Sequence, residues 1–165
     1  MNINHKIYVL FLLFFAIYIS GCATKPIATT TIGAIDGRDR VLIATQGSKF
    51  KDAVVSRVVE DLEKNDLYIE ITNLSALTNR STEEFKAIVI INSYKYFSFN
   101  KHVRNFLENT NDYDQEKIVL LATAGSPHRM NKGKEVDAIS SASKIDDVDN
   151  VSMDIVQRVS SIISK

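Results

Sequence analysis

Cys22 is the side chain whose neighbours specify its chemistry most tightly. Ile19-Ser20-Gly21 stands directly before it. Small residues at such a place let the backbone lie extended in a peptidase groove, and the thiol offers a nucleophilic sulfur for alkylation by a lipid donor. Upstream, Met1–Lys6 is short and polar, with its formal charge on Lys6 and His5 beside it. Ile7–Ile19 is then an unbroken apolar run of 13 residues. A helix needs about 20 apolar residues to span a bilayer, so this run has the length of the apolar region of a secretory signal. Cys22 is the only Cys in the chain, which rules out an intramolecular disulfide.

The Ile19-Ser20-Gly21-Cys22 tetrad resembles the lipobox of bacterial lipoproteins. The resemblance covers the entire amino-terminal segment, because charge, apolar length, small residues and Cys arrive in the right order. It implies that residues 1–21 are an export signal and that the sulfur of Cys22 carries a diacylglyceryl group. It also implies, as a rule, a third acyl chain on the new amino terminus. A single acyl chain gives marginal membrane binding, whereas two or more make a stable anchor. Ala23, not Asp, follows the Cys; in enteric-type bacteria this favours the outer membrane, facing the periplasm. The bland alternative is an ordinary signal peptide or short anchor helix with a chance Cys.

Beyond the leader, four loops carry residue types capable of chemistry. Thr45-Gln46-Gly47-Ser48-Lys49-Phe50 joins an apolar run to a helical pattern. Backbone N–H groups and the helix dipole suit an anion at such a junction; alternatively, Ser48 is simply the helix N-cap. Tyr94, Tyr96, Phe97 and Phe99 place four aromatics within six residues, a docking surface for an envelope protein, a stacking platform or a locally packed loop. Thr123-Ala124-Gly125-Ser126-Pro127-His128 is small enough for close approach of a planar ligand. Asp137-Ala138-Ile139-Ser140-Ser141-Ala142-Ser143 is a hydroxyl-rich strand end. No Ser-His-Asp order, catalytic carboxylate pair or metal-ligand spacing stands out, and only His102 and His128 lie beyond the leader. No catalytic residue or metal is assigned, and binding is favoured over enzymatic activity.

The elements that must position these loops follow from periodicity. Val41–Ala44, Leu67–Ile71, Ala87–Ile91, Lys117–Ala122 and Glu135–Ile139 read as strands. Consecutive apolar positions in Ala87–Ile91 mean that both faces of that strand are covered, as in a parallel sheet flanked by helices. Phe50, Val54, Val58 and Leu62, with Val55 and Val59 beside them, have helical spacing. Val103, Phe106 and Leu107 fall on a second helix near 100–109, and Val148, Val151, Ile155, Val159 and Ile162 on a closing one. Leu74–Glu84 reads as a poorly defined connection with one or two helical turns. Alternation of this kind predicts a parallel α/β sheet in a three-layer sandwich, and five strands are too few for an eight-unit barrel. Ala23–Gly37, rich in Thr, Ala and Gly, reads as a flexible tether. The expected organisation is a signal at 1–21, a lipidated tether at 22–37 and one domain at 38–165. Loss of residues 1–21 removes Lys6 and no acid, leaving 19 basic against 20 acidic side chains. With no basic block, nucleic-acid binding is excluded.

From Val41 to about Ser161 the chain resembles the flavodoxin-like superfamily, most strongly over Phe85–Glu108. There a strand, the loop Asn92-Ser93-Tyr94-Lys95-Tyr96 and a helix bearing Val103 and Phe106-Leu107 follow the family's order. The resemblance implies five parallel strands in order 2-1-3-4-5, with any ligand at the carboxyl edge near strands 1, 3 and 4. It implies FMN as the cofactor: phosphate at Thr45, Gly47, Ser48 and Lys49, ring stacking on Tyr96 beside Tyr94, and further flavin contact at Thr123 and Gly125. The chain departs from the family where the usual last Thr of the phosphate turn is Phe50 or Lys49, and where Tyr94 replaces Pro. Asp137–Ser143 resembles the motif on which flavin transferases attach FMN, with Ser143 as acceptor and Ser141 in place of the usual Gly. Strand 5 running into a loop explains the same residues. Two readings follow: a membrane-tethered binding or assembly module of the cell envelope, or an extracytoplasmic FMN-dependent electron carrier.

Overall fold

Runs that are apolar at every position demand cover on both faces, and the strands they form sit at the centre of the molecule. The computed structural model describes residues 27–94, 98–124 and 137–165. Its strands are β1 (Thr30–Ile32), β2 (Arg40–Thr45), β3 (Tyr68–Asn73), β4 (Ala87–Ser93), β5 (Ile118–Thr123) and β6 (Asp137–Ser141). Its helices are α1 (Lys49–Leu62), α2 (Lys101–Asn109), the short α3 (Asp112–Gln115) and α4 (Val148–Ile163). The strands form one sheet in the order β1-β3-β2-β4-β5-β6. β2 through β6 are mutually parallel, whereas β1 is antiparallel to β3.

Two sequence expectations are corrected by that sheet. It has six strands and is mixed, not five and all parallel. The five parallel strands, numbered among themselves, stand in the order 2-1-3-4-5, and β1 is added on the outer edge of β3. The second correction concerns the tether, since Thr30–Ile32 lies within the segment read as flexible. Its β-branched residues suit an extended conformation, and β3 would otherwise present an unpaired edge.

Alternation along each strand divides the core into two layers. Val41, Ile43, Ile69, Val89, Ile91, Val119 and Leu121 face the side covered by α1 and α4. Leu42, Ala44, Ile88, Ile90, Ile118 and Leu120 face the side covered by α2 and by Leu74 and Leu77. Each buried Val, Leu or Ile contributes roughly 1.5–3 kcal/mol relative to an exposed one. Ser48 starts α1 in extended conformation, its side chain accepting from the Lys51 N–H. Asn100 starts α2, its Oδ1 accepting from the His102 N–H at 2.9 Å. A tight helical turn at Glu63–Asn65 ends α1, and Asp66 reverses the chain in the left-handed region (φ 54°), which Asp tolerates better than most residues.

The connection from β3 to β4 holds only tight turns at Leu74–Asn79 and Thr82–Glu84. With no full helix there, the outer face of β3 is covered by a charge cluster. Arg80 folds back to hydrogen-bond the buried Glu70. Arg40 lies 3.9 Å from both Glu70 and Glu84, with its guanidinium over the rings of Phe85 (4.9 Å) and Tyr68 (5.5 Å). Among the described residues, no helix is long and apolar enough to cross a membrane.

Candidate functional site

In a parallel sheet the loops that leave the strands gather at one edge, and there the described candidate residues meet. Thr45 ends β2, Ser93 ends β4, Thr123 ends β5 and Ser141 ends β6. Ser93 is in register with Thr123, and Thr123 with Ser141. Even alternation turns all of them toward the α1/α4 side, where Thr45, Thr123 and Ser141 are buried. The result is a row of hydroxyls across the carboxyl edge.

Lys51 joins this row from above. It lies in the first turn of α1, is 3 % exposed, and donates from Nζ to Ser93 Oγ at 2.6 Å. A cation at a helix amino terminus opposes the helix dipole, so local helix energetics do not account for it. The Thr123 hydroxyl contacts the Asn92 carbonyl at 3.3 Å and Ser93 Oγ at 3.5 Å. The edge is therefore cross-tied between the first turn of α1, the end of β4 and the end of β5.

The turn expected to hold a phosphate is built differently from an open cradle. Ser48 Oγ accepts from the Lys51 N–H at 3.4 Å, so the helix caps itself. Phe50 is buried in the core, which removes a hydroxyl from the last position of the turn. A Cβ placed on Gly47 would lie 3.8 Å from Asp52 Oδ1, so a carboxylate stands against the turn where a phosphate dianion would gather. Lys49 is exposed at the start of α1 and adds charge in the opposite sense.

The aromatic loop is described at its two ends. Tyr94 and Phe99 pack edge to face with ring centroids 5.1 Å apart, both partly exposed. Tyr94 donates its backbone N–H to the Thr123 carbonyl at 2.8 Å, which ties this loop to the end of β5. Tyr96, Phe97, Gly125 and His128 lie outside the described residues, as do Cys22 and the leader. Ser143 lies in the loop between β6 and α4, exposed and with φ 60°. Its N–H donates to Ser141 Oγ at 3.2 Å, at the β6 end of the hydroxyl row.

Two features were missed from sequence. Lys51 falls four residues before Val55 and eight before Val59, so a helical projection puts it on the buried stripe. Asn92 extends the fully buried run of β4; it is 0 % exposed, and neither of its side-chain polar atoms has a hydrogen-bond partner. Most buried polar side chains are paired. A cleft of 660 Å³ lies at the opposite, amino edge, lined by Asp36, Arg38, Asp39, Asp66 and Ser160 among others. Among the described residues there is no group of three or more His, Cys, Asp or Glu arranged to hold a metal ion.

No model of a known protein family matches the sequence, and no curated protein sequence matches it. Solved structures do. A flavodoxin from the domain Archaea superposes with a TM-score of 0.50 at 10 % identity, covering 74 % of this chain and 98 % of its own. A flavodoxin, WrbA-like protein from Agrobacterium tumefaciens gives 0.49 at 10 % identity, covering 76 % and 97 %. General stress protein 14 from Treponema denticola, solved in complex with FMN, gives 0.43 at 11 % identity, covering 75 % and 99 %. The first of these likenesses establishes the fold as flavodoxin-like; at 10 % identity it says nothing about chemistry.

Proposed function

We propose that this chain is an exported lipoprotein, anchored by lipid on Cys22, whose flavodoxin-like domain serves as a non-catalytic binding or assembly module of the cell envelope. Support for the anchor comes from the leader and lipobox pattern of residues 1–22. Support for a module without flavin comes from the cross-tied carboxyl edge, above all the 2.6 Å bond from Lys51 Nζ to Ser93 Oγ. The residues present fit FMN poorly: Ser48 is spent on its own helix, Phe50 is in the core, and Asp52 stands against the turn.

The competing reading is an extracytoplasmic FMN-binding electron-transfer protein. The fold favours it, and so does Asn92, a buried amide beside that edge with no partner of its own. The visible spectrum of the purified mature chain, with and without added FMN, separates the two. The binding-module reading expects no flavin absorption as purified and no quenching of FMN fluorescence at micromolar protein. A flavin spectrum, or quenching that saturates in that range, overturns it in favour of electron transfer.

A further inference from the structure

The antiparallel polarity of β1 fixes where the chain enters the domain. Thr30 pairs with Ile71 and Ile32 with Ile69, so the residues before Thr30 run past Thr72 toward the carboxyl edge of the sheet. Thr29 confirms the direction: its Oγ1 lies 3.0 Å from Thr72 Oγ1. Ile27 is therefore at the carboxyl edge, and five residue steps separate it from Cys22. Fully extended, five steps reach about 18 Å at most. Resting on the reading that Cys22 is lipidated, that length leaves the carboxyl edge little room to turn away from the bilayer.

Among the described residues the charges along this edge are ordered in the same sense. The sheet order runs from β1 and β3 at the tethered side to β6 at the far side. Near the tether, the exposed Lys49 begins α1 after β2, with Asp52 in the same first turn, and the exposed Lys101 begins α2 after β4 on the other face of the sheet. Both lysines oppose their helix dipoles. The far side carries Asp146, Asp147 and Asp149, with Lys144, around the start of α4. Tyr94 and Phe99 stand at the end of β4, partly exposed, with Phe99 also packed against the core on the α2 side. Three strand spacings of roughly 4.8 Å separate β1 from β4, so this pair lies within the reach of the tether. Aromatic rings flanked by lysines suit the boundary between headgroups and acyl chains.

We propose that the carboxyl edge, through Lys49, Tyr94, Phe99 and Lys101, lies against an anionic lipid surface, and that the amino edge with its 660 Å³ cleft faces away from the membrane. The occupant of the aromatic face is lipid, not another protein.

The test uses the full lipidated chain reconstituted in vesicles of phosphatidylcholine and phosphatidylglycerol. Cys22 is consumed by its lipid, so Ser98→Cys and Asn65→Cys each supply a single thiol for an environment-sensitive fluorophore. Ser98 adjoins Phe99, and Asn65 lines the amino-edge cleft. The expected result is a blue shift at Ser98→Cys, with quenching by nitroxide-bearing lipid, and no response at Asn65→Cys. Lys49→Glu with Lys101→Glu should reduce that quenching. Protein that floats with the vesicles but shows an unresponsive Ser98→Cys, or a responsive Asn65→Cys, overturns the orientation while leaving the anchor intact. Protein that fails to float overturns the anchor and the orientation together. Shielding of Ser98→Cys in native envelopes but not in protein-free vesicles identifies a protein occupant and overturns the lipid assignment.

Discussion

Asp114 shows how single side chains hold this chain in place. It is the centre of a small polar knot, accepting from Thr82 Oγ1 at 2.9 Å, from Asn111 Nδ2 at 2.9 Å and from Lys117 Nζ at 2.6 Å. The Lys117 ammonium, foremost, holds its carboxyl below the usual Asp range, against the opposing cost of burial, with Thr82 and Asn111 adding to the effect. A folded-state value below the unfolded one contributes stability that is present above the unfolded value, near 3.9, and is lost as pH falls through the folded one. Asp114→Asn should therefore cost roughly 1–2 kcal/mol at neutral pH and flatten the acid side of the stability profile below about pH 4. Urea titrations of both proteins between neutral pH and pH 3 measure this; a constant difference across that range contradicts the ion-pair account. At this scale the sequence was only partly legible. Ser48 was readable as a helix cap because local geometry makes it one. The Lys51–Ser93 tie was not readable, because it joins residues 42 positions apart and depends on which strand lies next to which. Asn92 was hidden by its neighbours: a strand buried on both faces gives no alternation to mark the polar residue at its end.

Elements were easier to read where a long period repeats. α1 and α4 carry apolar residues at intervals of three and four over four turns, and both form as the spacing predicts. β1 was missed because three residues are too few to show any period, and because Thr-rich sequence beside Gly reads equally well as tether. What makes β1 possible is Gly33. Its φ is 85°, and a Cβ there would sit 2.5 Å from the Leu67 carbonyl oxygen. Both facts forbid a side chain: the left-handed backbone alone costs an L-residue roughly 1–2 kcal/mol, and the close approach is to backbone, which has no rotamer by which to retreat. Gly33→Ala should lower Tm by several degrees and speed amide exchange along β3, whose outer edge β1 covers. Unchanged Tm and unchanged exchange would show that β1 contributes nothing to the sheet. The connection between β3 and β4 makes the converse point. Its weak periodicity correctly indicated no full helix, but the Glu70–Arg80–Arg40 cluster that replaces helical cover has no signature in spacing.

For the whole molecule, the fold and the proposed location rest on different parts of the chain and on different physics. The alternation of apolar runs and amphipathic segments specifies a flavodoxin-like sandwich, and the solved flavodoxin from the domain Archaea agrees with it across most of the chain. We read the leader as an address, and packing has no part in that reading. Chemistry was the least legible level, because the loops that would carry it are without period, and their meaning depends on cross-strand neighbours. Among the described residues those neighbours tie the carboxyl edge across three elements, and on that ground we propose a binding module rather than a flavin carrier. One measurement bears on both halves of that account: the intact mass of the protein extracted from bacterial membranes. The predicted mass is that of a chain beginning at Cys22, increased by a diacylglyceryl group and an acyl chain, with no FMN-sized increment at Ser143 or elsewhere. A mass beginning at Met1, or a lipid-free chain cut at another residue, would contradict the anchor, and an added FMN would contradict the flavin-free module.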